Sequence, residues 1–466
     1  MRALNLACRG PANWRAAGAP IRPTTFTALA IFCAWIACFL VLSNVRIGLA
    51  QQASAVSGGS GSVSAAPPVG TVINAANAST YAQFLPPATQ VGIDHGMTLR
   101  VVQSKRLDWS GGFTSETEKY SGQVGLDKDD YITNYIAGMP FPMVSTTDPK
   151  AAIKIAYNWH MGPFMPDDFS LEPWGSFAYS GTEPGSFVSE DWNAYKCSRL
   201  VFLRFAHRTE VDPRPTLGTN EDGIEWELRC LEWQGGPDMS PGIGRVTGAV
   251  VRYLDPKKAD GAIWAGGRAT KYSTRPGFPD VSDEKCRGCH QPYWAYALPK
   301  TEEYSYRLLG TALMLACLTA DHEPAGIVRR EKDMTFSEEP FQLRNAYILE
   351  MTPKRNAKLR TIVYIDTEAF VWLGAEFFAG NEKTEAAFPF WRSSPSPSGG
   401  YVFELAGEFY VPFDQLTSSH LPGVKSSAAP RLFFRSLAPA HGGFSQKINS
   451  GLSLDFFDPN QLGTPW

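Results

Sequence analysis

One short run in this 466-residue sequence has residue types at a spacing that does chemistry: Cys286-Arg287-Gly288-Cys289-His290. In C-x-x-C-H the two thiols add to the vinyl groups of a haem and the following histidine ligates its iron, the c-type attachment. The spacing matters because two thioethers fix one porphyrin edge and leave the adjacent imidazole on the proximal face. For the iron's sixth position the sequence offers Met314, Met334, His322 or no protein ligand. The same five residues also fit a redox or structural disulfide with His290 incidental, or a metal site. Haem c is therefore the one cofactor in view, with Cys286 and Cys289 attaching it and His290 as iron ligand.

Other chemistry is not written into the chain. The seven histidines are scattered and none stands near a G-x-S-x-G elbow. Gly235-Gly236 and Gly266-Gly267 lack phosphate-loop form. Asp129-Asp130 and Asp167-Asp168 read as loop and cap residues rather than an acid/base pair. Enzymatic activity is expected only as electron transfer through a haem.

The setting of these residues follows from composition. Residues 1–50 contain five arginines and no acid, an apolar run from Phe26 to Leu42, and Gly48-Leu49-Ala50 before Gln51. That is the form of a secretory signal peptide. The alternative is an inner-membrane anchor through residues 26–42, since seventeen residues approach a span. Cys33 and Cys38 lie within the run without a Leu-x-Ala/Gly-Cys pattern, so no lipid attachment is expected. Without residues 1–50 the chain keeps 38 basic residues against 46 acidic, a net charge of −8. That argues against nucleic acid and anionic membrane surfaces as partners. Five cysteines remain, Cys197, Cys230, Cys286, Cys289 and Cys317, an odd number in an oxidising compartment.

Residues 51–73 begin with an Ala/Ser/Gly/Val-rich stretch that reads as a linker, leaving 74–466 as one β-rich domain with the C-x-x-C-H loop inserted near 280–295. Cys197 to Trp233 reads as two long strands around a proline-rich turn, with the downstream segments continuing the same antiparallel sheet. Facing strands would bring Cys197 and Cys230 within disulfide reach if the register permits. Further strands are expected at 97–102, 248–254, 303–317, 345–351, 359–365, 370–378 and 401–413, with a loop at 393–400. Helices are expected over 127–136 and from Asp148 and Pro149, the latter burying Ile153, Ala156, Tyr157 and His160. His160 is read as a residue of that buried helix face, not a ligand.

These segments carry a resemblance: NYIAGMPFP (134–142), DPKAAIKIAYNW (148–159), HRTEVDPRP (207–215), VVRYLDP (250–256), YSYRLLG (304–310) and VYIDTEAFVWLGAEFF (363–378). Across about 131–380 the chain resembles the exported proteins of domain of unknown function 1329. The resemblance implies a LolA/LolB-like fold, mainly β (α+β): a curved, incompletely closed antiparallel barrel with helices on its concave face. It also implies a protein of the periplasm or the periplasmic face of the outer membrane that handles a lipid-like ligand, with an envelope transporter as partner. Where relatives carry an arginine-dense stretch, this chain has DGAIWAGGRATKYSTRP (260–276) and then the C-x-x-C-H loop. Residues expected to line a ligand groove are Phe202, Phe205, Trp226, Tyr253, Tyr364, Trp372, Phe377 and Phe378, each also able to serve as plain core. The competing reading is a c-type haem redox protein on the same scaffold.

Overall fold

The β-branched and aromatic runs of the sequence become strands, and the strands sort into two large sheets. In the computed structural model the described residues are 65–94, 96–162, 167–172, 174–178, 191–193, 197–204, 224–233, 246–253, 261–266, 269–273, 301, 304–319, 338–354, 356–412, 431–435, 445–452 and 454–457. The first strands are β1 (Val72–Ile73), β2 (Thr98–Val101), β3 (Gly125–Leu126), β4 (Ile132–Thr133), β5 (Asp168–Glu172), β6 (Trp174–Ala178) and β7 (Asp191–Asn193). Then come β8 (Cys197–Arg204), β9 (Ile224–Trp233), β10 (Val246–Tyr253), β11 (Gly261–Gly266), β12 (Ala269–Ser273) and β13 (Tyr304–Ala316). The last are β14 (Glu338–Pro353), β15 (Leu359–Asp366), β16 (Trp372–Ala379), β17 (Glu382–Pro395), β18 (Tyr401–Pro412), β19 (Arg431–Arg435) and β20 (Ser445–Ile448). Among the described residues three α-helices interrupt them: α1 (Thr89–Asp94), α2 (Gly111–Tyr120) and α3 (Ala151–His160).

An eleven-stranded sheet runs β1-β2-β14-β15-β16-β17-β18-β19-β6-β7, with β13 also on β14. A seven-stranded sheet runs β12-β11-β10-β9-β8-β5-β20. The hairpin expected between Cys197 and Trp233 is there as β8–β9, but β13 to β19 do not extend its sheet; among the described strands after residue 300, β20 alone joins it, through β5. One cross-strand row of the smaller sheet is apolar over six strands, Ile448, Phe169, Phe202, Leu228, Val250 and Ala262, and ends at Ser273 on β12. The neighbouring row Ser170–Val201–Arg229–Ala249 is mixed, and successive rows alternate between the two faces of a pleated sheet.

The register corrects the expectation for the cysteines. Cys197 lies opposite Trp233, and Cys230 lies opposite Leu200. Three positions out of step at roughly 3.3 Å each exceed the ~7 Å Cα separation that a disulfide spans. An odd offset also sends the two positions to opposite faces. Among the described residues Cys317 is a buried cysteine.

Asp127–Ile136 is not helical. The Asp127 carboxylate accepts the backbone N–H groups of Asp129 (2.8 Å) and Tyr131 (2.9 Å), and Asp130 takes a positive φ of 66°. An aspartate that bonds its own backbone this way starts a turn, here joining β3 to β4. The later helix forms, but begins at Ala151; Asp148 instead closes the preceding turn, accepting from Lys150 N–H at 2.8 Å. Its expected face is right, with Ile153, Ala156 and His160 buried and Tyr157 half-buried. Elements with no sequence expectation include α1, α2, β1, β5, β6, β7, β11, β12, β17, β19 and β20. In β17 a proline at 389 disguises a central strand.

Two apolar cores are built from alternate residues of the same strands. Met314 and Ala316 of β13, with Ala387 and Trp391 of β17, enter a core with Phe113 of α2 and Ile153, Ile155 and Trp159 of α3. Leu315 and Cys317, with Phe388 and Phe390, enter another with Ile93 of α1 and Leu99 of β2. Helical segments thus cover both sides of these strands, which is why β17 is buried almost continuously through its middle. The chain just past β13 also reaches β17, where Cys317 forms a parallel bridge with Phe390 and accepts the Trp391 N–H at 2.9 Å.

The C-terminal residues are tied to β5 through one buried carboxylate. Asp168 accepts hydrogen bonds from Ser450 N (2.6 Å), Ser450 Oγ (2.9 Å), Gly451 N (2.9 Å) and Leu452 N (3.0 Å). Charged hydrogen bonds contribute about 1.5–3 kcal/mol each, without full additivity. Asp168→Ala is expected to release this segment, with amide exchange at 449–452 accelerating by at least about tenfold, which is about 1.4 kcal/mol. Unchanged exchange there would show that another contact holds it.

Candidate functional site

The floor of the site is a cross-strand row. Leu308 pairs with Leu349, Leu349 with Val363, Val363 with Ala375, and Ala375 with Ala387. Directly paired residues share a face, so these side chains form a strip across β13 to β17. Leu349, Val363, Ala375 and Ala387 are fully buried, and Ile153, Ile155 and Trp159 of α3 belong to the same core. Ala375 and Ala387 matter because small side chains at neighbouring strands let apolar matter approach the sheet closely.

The next row toward the strand ends is Tyr306, Met351, Thr361, Phe377 and Glu385. Here burial is incomplete: Met351 is 6% exposed, while Tyr306, Thr361 and Phe377 are half-buried. Along β13, half-buried Tyr304, Tyr306, Leu308 and Ala312 alternate with exposed positions. Among the described residues seven aromatics pack around this core without being fully buried: Trp109, Tyr157, Tyr304, Tyr306, Tyr364, Phe377 and Tyr401. A dry apolar floor with a half-open aromatic rim can hold an apolar ligand by burial alone, at about 25 cal/mol per Å² of apolar surface covered.

The turn after β15 is fixed by a buried ion cluster. Arg344 donates from Nε to Asp366 Oδ2 at 2.7 Å and from Nη2 to Asp366 Oδ1 at 3.0 Å. It reaches Glu368 Oε2 at 2.8 Å and donates from Nη1 to the Lys105 carbonyl at 2.9 Å. Asp366 also accepts the N–H groups of Glu368 (2.9 Å) and Ala369 (2.7 Å), shaping the turn in which Phe370 has a φ of 54°. Arg344 and Asp366 are 5% and 0% exposed. The cluster's work is positional: it sets β15 against β16 and so aligns Val363 with Ala375.

Of the residues expected to line a groove, Phe377 lies on the rim row and Tyr364 packs at the edge of the same core. The Tyr364 hydroxyl donates to Glu376 Oε2 at 2.9 Å, and burial first, then the Glu376 carboxylate, hold its phenol well above the usual tyrosine range. Trp372 is fully buried core. Phe378 lies under Arg360, whose guanidinium carbon is 4.1 Å from the ring centroid, with the Lys383 ammonium 6.0 Å away. Phe202, Trp226 and Tyr253 belong to the other sheet, where Trp226 pairs with both Arg204 and Arg252.

Phe205, Cys286, Cys289 and His290 lie outside the described residues, as do residues 1–50 and the axial candidates His322 and Met334. Met314 is 3% exposed in the core, and His160 is buried on α3. Among the described residues no group of three or more His, Cys, Asp or Glu could hold a metal ion, and no helix is long and apolar enough to cross a membrane. The floor residues Leu349, Val363, Ala375 and Ala387 were not singled out from sequence. Alternating apolar positions mark a buried face, but which strands lie side by side is a matter of register.

Residues 72–173 match the family model described as "Protein of unknown function (DUF1329)". The family resemblance is thereby shown, on a segment running from β1 through β5. Of the motifs that carried it, NYIAGMPFP and DPKAAIKIAYNW lie inside the matched segment and the others lie beyond it. No curated protein matches the chain. Solved structures similar to it include the following two. One is a putative outer membrane lipoprotein-sorting protein domain from Vibrio parahaemolyticus, at 11% identity over 66% of this chain and 97% of that chain, TM-score 0.36. The other is a LolA superfamily protein from Nitrosomonas europaea, at 11% identity over 64% of this chain and 92% of that chain, TM-score 0.26. Both TM-scores are low, and the mainly β architecture rests on this chain's own strand pairings.

Proposed function

We propose that the protein binds and carries a hydrophobic, lipid-like ligand outside the cytoplasm, in the periplasm or at the periplasmic face of the outer membrane. The observation that carries this reading is the apolar row Leu349–Val363–Ala375–Ala387 under α3, opening onto the half-buried Tyr306 and Phe377. A binding floor of this kind suits a curved, incompletely closed antiparallel barrel with helices on its concave face. The bridge from Cys317 to Phe390, which brings the chain past β13 round to β17, supports that shape. The location rests on residues 1–50 as an export signal. A carrier of lipid needs a donor or acceptor, so an envelope transporter is the proposed partner.

A second reading, a c-type haem on Cys286, Cys289 and His290, rests on the C-x-x-C-H spacing alone. One measurement separates the two: intact mass of the exported protein, native and then denatured, from a host that makes c-type cytochromes. The expected result is a native-state adduct of lipid mass that is lost on denaturation. A haem-sized mass that survives denaturation and vanishes in Cys286→Ala/Cys289→Ala would make it a redox protein first. A bare polypeptide mass in both states, together with no uptake of a fluorescent fatty acid, would sink the carrier reading.

A further inference from the structure

The rim of the apolar row lies beside a basic turn. From Met351 and Thr361 the strands β14 and β15 run out of the core into the turn 354–358, and the whole stretch from Met351 to Ile365 contains Lys354, Arg355, Lys358 and Arg360 with no acidic residue. Lys354, Lys358 and the neighbouring Leu359 are exposed. Gly380 N donates to the Lys358 carbonyl at 2.6 Å, which sets the β16–β17 turn and Lys383 next to it.

The cations at this end of the sheet divide into two kinds. Arg307 and Arg360 are held by Glu350, at 2.9 Å and 3.4 Å, and Lys383 is paired with Glu376. Lys354 and Lys358 form no ion pair among the described residues. Their charge is therefore available, on a chain whose balance beyond residue 50 is −8. A local run of one sign against an opposite background concentrates potential where an oppositely charged ligand would meet it. Reach is adequate as well. Met351 to Lys354 is three residues, about 10 Å of extended strand, and a lysine's flexible stem can lay its ammonium back toward the rim.

We propose that the ligand is an anionic amphiphile, its chain against the half-buried rim of Tyr306, Thr361 and Phe377 at the edge of the apolar core and its acidic group at Lys354 and Lys358. This rests on the carrier reading above and narrows it: of two ligands with the same chain, the one with an ionised head binds tighter.

Three probes and one variant test it. Palmitate and hexadecanol share a chain and differ in the head, and butyrate keeps the acid without the chain. The variant Lys354→Glu/Lys358→Glu changes exposed residues outside the core, and a far-UV spectrum matching the parent checks its fold. The expected result is palmitate binding that the double substitution weakens about tenfold, with hexadecanol binding unchanged. The difference should shrink as salt is raised. Equal weakening of palmitate and hexadecanol, or no weakening of either, would overturn the proposal while leaving a carrier. Butyrate binding as tight as palmitate would overturn it in favour of a free-anion site. Failure of both long-chain ligands to bind the parent protein would remove the carrier reading and this proposal together.

Discussion

Asp366→Ala is expected to cost about 3–5 kcal/mol of folding stability, the range for leaving one member of a buried ion pair without its partner. Arg344 is the member left behind. It is 5% exposed, and two of its four hydrogen bonds go to the lost carboxylate. Glu368 still reaches Nη2, but Glu368 is more than half exposed and its help is screened by water. The substitution also strips the turn of Asp366 Oδ1, which accepts the N–H groups of both Glu368 and Ala369. Equilibrium unfolding in urea measures the loss. The double variant Arg344→Met/Asp366→Leu is the informative partner, because it removes both charges and leaves apolar groups of similar size. Recovery of most of the loss in the double variant would show that the single change acts through a stranded charge. No recovery would place the cost in the turn's backbone bonds instead. A loss of less than about 1 kcal/mol in Asp366→Ala would mean the cluster does not hold the β15–β16 turn.

Trp159→Ala has an expected cost of similar size, about 3–5 kcal/mol, for a different reason. Trp159 is fully buried on α3 and is one of the largest side chains in the core that includes the floor. Its removal leaves a hole between helix and sheet that the backbone cannot close, because β13 and β14 are held by their ladder to each other. Trp159→Phe should recover much of the loss, since an aromatic ring fills part of the space. In the carrier reading the two variants also differ in binding: a hole beside the floor enlarges the apolar site without touching Lys354 or Lys358. Urea titration gives the stability, and a fluorescent fatty acid gives the binding. A surface-like cost, within about 0.5 kcal/mol, would show that α3 does not seal this core.

The sequence made many individual elements readable. The alternation in 224–233 and 359–365, and the apolar spacing of 151–160, give β9, β15 and α3, because side-chain periodicity of two or about 3.6 is visible in one dimension. The same reading failed where local chemistry overrode the pattern. Asp127 closed a turn instead of opening a helix, and Pro389 hid β17, whose middle is held by cores on both sides rather than by strand propensity. Of the eight aromatics chosen as groove residues, four are divided among core, rim and a cation-covered surface of one sheet, and three belong to the other sheet. Aromatic content marks burial but not which burial.

By itself, then, the sequence determined the mainly β character and the family resemblance, along with an acidic balance beyond residue 50. Each of these depends on residues close together in the chain. Tertiary structure alone decided that Cys197 and Cys230 are three positions out of step, that Arg344 closes on Asp366, and that Leu349, Val363, Ala375 and Ala387 form one floor beneath Trp159. Those depend on strand register and on which face each strand presents. A one-residue slip reverses every side chain while leaving the sequence pattern unchanged.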